Sequence, residues 1–135
     1  MAVSFSLYPG QGLAHIRFSG HVTAEETLAR AAEFAATPGV HPDLHQIIDF
    51  SAVDSFERDY VRLMRMMARL PEHLVHAGHE PMFIHVCPTP VGLEMAQFVL
   101  RSMEGTEGGP ILCIARSLPE ALALLGLPLH ALEAE

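Results

Sequence analysis

Four times in this chain, a residue that favours the start of a helix stands shortly after a short apolar run. Thr23 follows the run beginning at Leu13, Asp54 follows His45–Phe50, Thr89 follows Met82–Cys87, and Ser117 follows Ile111–Ala115. Thr23-Ala24-Glu25-Glu26 and Ser117-Leu118-Pro119-Glu120 have the spacing of a capping box, in which the first side chain and the glutamate satisfy free backbone N–H groups. Asp54-Ser55-Phe56-Glu57 offers another cap, and Thr89 is followed by proline at the preferred first helical position. Each helix also has a stop. Thr37-Pro38-Gly39 ends the first, Pro71 the second after Leu70, Gly105–Gly109 the third after about Met103, and Gly126 with Pro128 the last.

Ahead of these units, Val3–Tyr8 and Leu13–Phe18 alternate apolar and polar residues around Pro9-Gly10-Gln11-Gly12, the pattern of an antiparallel hairpin with one wet face. The later strands are continuously apolar, as parallel strands buried on both faces are. The order is therefore β-β-α-β-α-β-α-β-α. It predicts an α/β fold with a mixed five-stranded sheet, mostly parallel with the N-terminal strand antiparallel, and four helices. Residues 1–135 read as a single domain without repeats or a linker.

Composition narrows the function classes. Half of the 135 residues are hydrophobic and 18% are charged, which excludes disorder and low-complexity sequence. All eight basic residues are arginine, against sixteen acids, for a net charge of −8; a nucleic-acid partner wants the opposite sign. The two cysteines do not form a disulfide framework, so a reducing cytoplasm is expected. No apolar run approaches a membrane span, and residues 1–10 lack the pattern of a signal peptide.

Four stretches carry a likeness to a known family. They are Arg17-Phe18-Ser19-Gly20-His21-Val22-Thr23, Ile47-Ile48-Asp49-Phe50-Ser51, Asp54-Ser55, and Ser117-Leu118-Pro119-Glu120-Ala121-Leu122. With the element order, they resemble the small STAS/SpoIIAA-like domains of bacteria, which are related in fold to the lipid-binding CRAL-TRIO modules. The resemblance implies a compact α/β sandwich that acts through partners or a bound ligand rather than through its own catalytic chemistry. In the phosphorylated antagonists of that group, an aspartate at the start of the second helix is followed by two serines and a glycine, and a serine there is modified. Here Asp54-Ser55 is followed by Phe56 and Glu57, so Ser55 is either a phospho-acceptor at a helix N-terminus or a plain cap.

Other constellations are weighed on their chemistry. His73, His76 and His79, with Glu80, are the densest group among nine histidines, but they sit on a connection and match no zinc spacing, so no metal is expected. His85, inside an apolar strand, either donates to a carbonyl in the core or points into a pocket. Cys87 and Cys113 lie on strands and read as inert thiols. Asp49, Ser51, Cys87 and Arg116 stand at the strand ends where open α/β sheets place their sites, yet define no reaction. No catalytic set and no cofactor is expected.

The surfaces say more. Met64, Met66, Met67, Met82, Met95 and Met103 supply adaptable apolar surface, suited to a core, a dimer face or a lipid-like pocket. The third helix is apolar nearly all round, which makes Phe98 and Leu100 the candidate dimer face. On the second helix, Arg58, Arg62, Arg65 and Arg69 fall within about 60° of arc, with Leu63, Met64, Met67 and Ala68 expected to face the sheet. Such a stripe suits an acidic protein partner or an acidic patch of a second copy. The expected function is a non-enzymatic regulatory or interaction domain, homodimeric; the alternative is a module for a small apolar, lipid-like ligand.

Overall fold

Ile47 and Ile84 stand opposite each other on neighbouring parallel strands, and neither exposes any surface. They mark the centre of the sheet in the computed structural model of the chain, which describes residues 2–104 and 109–132. The strands are β1 (Val3–Tyr8), β2 (Leu13–Val22), β3 (His45–Phe56), β4 (Met82–Val86) and β5 (Ile111–Ala115), side by side in that order. β1 is antiparallel to β2 and the other pairings are parallel, as the alternating hairpin and the apolar later strands predict. The helices are α1 (Ala24–Ala35), α2 (Tyr60–Arg69), a single turn α3 (Pro71–Leu74), α4 (Pro90–Ser102) and α5 (Leu118–Leu124). Among the described residues, no helix is long and apolar enough to cross a membrane.

Three caps work as their sequences predict. The side chains of Thr23, Thr89 and Ser117 accept from the backbone N–H groups of Glu26, Gly92 and Glu120, at 3.2, 3.1 and 3.2 Å. The glutamate half of the first box is used differently: Glu26 Oε1 accepts from the Ala2 N–H at 3.0 Å and ties down the N-terminus. The third helix's expected stop, Gly105–Gly109, lies outside the described residues except for Gly109.

Asp54-Ser55 does not start a helix. β3 continues six residues past the expected end, because Ala52, Val53, Ser55 and Phe56 pair with Ser19–Val22 of β2. Val53 and Phe56 are buried, so this arm satisfies its backbone and its apolar side chains at once. The register shifts at Gly20, whose φ of 65° suits glycine. Asp59 caps α2 instead, accepting from the Arg62 N–H at 3.2 Å.

Consecutive parallel strands joined by helices place α1, α2 and α4 on one face of the sheet. Their buried residues join Phe18, Phe50, Val53 and Phe56 in one cluster. The chain after β5 returns over the other face, where Ala121, Leu122 and Ala131 pack on Leu13, Ile47, Ile84 and Val86. Among the described residues, one face is thus covered by α1, α2 and α4 and the other by α5 and the turn Leu129–Leu132.

Candidate functional site

Period-two alternation sends Phe5 of β1, Ile16 and Phe18 of β2, Gln46, Ile48 and Phe50 of β3, and Phe83 and His85 of β4 to the face beneath α1, α2 and α4. These side chains form the floor of a cavity of about 130 Å³. Its roof includes Ala31 of α1, Met66 and Met67 of α2, and Met95, Phe98 and Val99 of α4. Ile16 and Ile48 lie at the middle of this floor and are still only half-buried, so the helices do not close down on the sheet. Further half-buried lining residues are Leu70, Pro71, Leu74 and Val75 around α3, with Met103 after α4 and Leu112 of β5. Among the described residues, these are the less buried part of the lining, at the N-terminal ends of the parallel strands.

The other end is shut. Gly92 in the first turn of α4 lies so close to β3 that an added Cβ would stand 3.2 Å from both the Cβ and the carbonyl oxygen of Phe50. The glycine lets the start of α4 press on the sheet, while its far end stands at the less buried part of the lining.

Two buried polar residues interrupt the apolar lining: Gln46 and His85, 5% and 2% exposed. His85 Nδ1 lies 3.3 Å from the carbonyl oxygen of Cys113, so this nitrogen donates. Burial lowers the His85 pKa to about 4 against the help of that bond, and the ring is neutral at physiological pH. His85 therefore satisfies both sequence alternatives, bonded to a core carbonyl and lining a pocket. Gln46 is the residue the sequence reading missed; an amide at an inward position of an apolar strand is the signal that marks it.

The opposite face of β1–β3 carries a polar chain. Arg17 donates to Ser6 Oγ at 2.9 Å and to His15 Nδ1 at 3.2 Å, which leaves His15 Nε2 to donate to Asp49 Oδ2 at 3.4 Å. Ser51 Oγ donates to Asp49 Oδ1 at 2.5 Å. Burial raises the Asp49 pKa, but the bonds from His15 and Ser51 outweigh it and hold the carboxyl below its ordinary value. The carboxylate stands between serine and histidine, so His15 does not reach the Ser51 hydroxyl as it would in a serine–histidine pair. Cys87 is pushed up to about 12, first by burial and then by the Asp49 charge, which makes it a poor nucleophile.

The remaining candidates are scattered. Ser55 lies in β3, where its hydroxyl meets His21 Nδ1 at 2.8 Å. Arg58 precedes α2 and pairs with Glu94, and Arg62 lies 3.4 Å from Glu57 and 3.8 Å from Glu25. Only Arg65 and Arg69 of the stripe have no ion-pair partner among the described residues. The buried row of α2 is Leu63, Met66 and Met67, so the expectation that Met64 and Ala68 face the sheet is corrected; both are exposed. Helical phase explains it: the inward stripe follows the 3–4 spacing from Leu63 through Met66 and Met67 to Leu70. Phe98 turns inward against the cavity and lies 6.3 Å from the Tyr60 ring, while Leu100 is half-buried some 200° around the helix, so the two share no single face. His79 pairs with Asp43 at 2.7 Å, and among the described residues no three histidine, cysteine or acidic side chains gather in a metal-binding group.

No protein-family model matches the chain, and no curated protein matches it either.

Proposed function

We propose that this protein is a binding module for a small apolar ligand, taken into the cavity between the sheet and α1, α2 and α4. The half-burial of Ile16 and Ile48 carries this reading. Protein interiors are normally packed as tightly as organic crystals, and the centre of a sheet beneath three helices is where packing should be tightest. The volume of about 130 Å³ is close to that of an engineered apolar cavity of ~150 Å³ that holds benzene. Met66, Met67, Met95 and Met103 line it with side chains that repack readily around different shapes. The likeness to STAS/SpoIIAA-like domains, with their lipid-binding fold relatives, points the same way. Two free cysteines suit the expected cytoplasmic setting.

The ligand fills the space that the far end of α4 leaves over the floor. Burying a leucine-sized group contributes about 1.5–3 kcal/mol, so a ligand confined to this volume binds weakly. A tighter one extends past Leu74 and Met103.

The test is titration with the neutral fluorophore N-phenyl-1-naphthylamine. Saturable binding that is lost in Ala31→Leu, which fills the cavity, supports the reading. A wild type that never saturates, or a variant that binds equally well, refutes it.

A second reading, the regulatory or interaction domain expected from the sequence, is favoured by the outer side of α2. Tyr60, Val61 and Met64 are 53, 61 and 54% exposed beside Arg65, an apolar strip suited to a second copy or an acidic partner.

A further inference from the structure

We propose that Gln46 and His85 form a polar site inside the cavity that receives a ligand hydroxyl, so that the preferred ligand is an uncharged alcohol rather than a carboxylate. This rests on the apolar-ligand reading above. Gln46 stands beside Phe83 and His85 beside Ile48, so the two are diagonal neighbours on one face of adjoining strands. Both line the cavity, and both are more than nine-tenths buried. Neither the Gln46 amide nor His85 Nε2 has a hydrogen-bond partner among the described residues. Polar groups on residues buried this deeply usually hold a hydrogen-bond partner, and neither of these is sealed off from the cavity.

The imidazole decides which group fits. A carbonyl only accepts, so the His85 Nδ1 facing the Cys113 carbonyl carries the proton. In a neutral ring, Nε2 is then a bare acceptor and needs a donor. A carboxylate brings only acceptors to it, along with a charge that this depth does not compensate. The guanidinium lining the cavity, Arg30, is ion-paired with Glu33. A hydrocarbon leaves both polar groups unpaired. A hydroxyl donates to His85 Nε2 and accepts from the Gln46 NH₂, giving each residue a partner through one oxygen.

The test measures benzyl alcohol, toluene and benzoate by displacement of N-phenyl-1-naphthylamine from wild type, His85→Phe and Gln46→Leu. The expected result is a fall of about ten-fold in the affinity for the alcohol relative to toluene in His85→Phe, as loss of a buried hydrogen bond predicts. Gln46→Leu moves the ratio the same way. Toluene binding kept by both variants shows that they fold. An unchanged ratio in both variants, or benzoate as the tightest ligand of the wild type, overturns the alcohol site while leaving the cavity reading intact. If none of the three displaces the probe from wild type although the probe saturates, the alcohol site is overturned for ligands of this size. A wild type that does not take up the probe fails the apolar-ligand reading itself.

Discussion

Arg58 and Glu94 form a two-point ion pair, their nitrogens and oxygens 2.5 and 3.2 Å apart, between the entry to α2 and the first turns of α4. The guanidinium also lies 3.8 Å above the ring of Phe56, which lines the cavity. The pair holds the Arg58 pKa above and the Glu94 pKa below their ordinary values, mainly through the hydrogen bonds they share. It thus fastens two parts of the roof to each other at the closed end.

Breaking this fastening should loosen the roof without unfolding the protein. Both side chains are half exposed, so the pair adds little to global stability. In Glu94→Gln, hydrogen exchange should accelerate at the α2 amides while the melting temperature barely moves. Unchanged exchange in α2 would show that the pair is ornamental.

Stability should also depend on His85. In the unfolded chain the imidazole takes up a proton near its ordinary 6.5, and in the folded protein only near 4. Between those values the unfolded state binds more protons, so this contribution is complete above pH 6.5 and is lost as pH falls toward 4. The whole effect is roughly 3 kcal/mol, at ~1.4 kcal/mol per pH unit. Asp49, also lowered, adds its own loss only below the ordinary 3.8. Melting curves at pH 7 and pH 5 should show a larger drop for wild type than for His85→Gln; equal drops would contradict the buried neutral ring.

Gly92→Ala tests the closed end. The new methyl would stand 3.1 Å from Thr89 Oγ1 and 3.2 Å from Phe50, pushing the start of α4 off the sheet. Overpacking of this kind costs about 1–3 kcal/mol, only partly offset by alanine's better helix propensity. Urea denaturation should register a net loss; a more stable variant would show that α4 can lift freely.

The outer strip of α2 makes a separate forecast. Met64 exposes 54% of its surface beside Tyr60 and Val61. If copies associate there, Met64→Glu should return the protein to a monomer in sedimentation equilibrium while leaving probe binding unchanged. A wild type that is monomeric at tens of micromolar, or a dimer indifferent to the change, removes this surface from the account.

The elements were legible where the signal is local. Thr23, Thr89 and Ser117 cap the helices their sequences announce, and the alternation of Val3–Tyr8 against Leu13–Phe18 specifies the hairpin. Asp54-Ser55 carries an equally good local signal that is overridden, because the partner of Ser55 and Phe56 is the end of β2, more than thirty residues earlier. The arginine spacing could show a stripe, but not that Glu94 and Glu57 would take up half of it. The cavity was the least legible feature. It depends on how far α1, α2 and α4 stand from the sheet, a distance set at one end by Gly92 against Phe50, with no comparable close approach near Met103 among the described residues. The signs of it in the chain were the methionines that now line it and the polar residues His85 and Gln46 at inward positions of apolar strands.

The methionine methyl groups give the most direct measurement of whether a ligand enters that space. Met66, Met67, Met95 and Met103 line the cavity, whereas Met64 is on the outer face of α2 and Met82 packs with the cluster on the other side of the sheet. In a methyl-labelled NMR titration with benzyl alcohol, the signals of Met66, Met67, Met95 and Met103 should shift together and saturate, with Met64 and Met82 still. Movement of Met64 alone, or no movement at saturating ligand, would contradict an internal binding site.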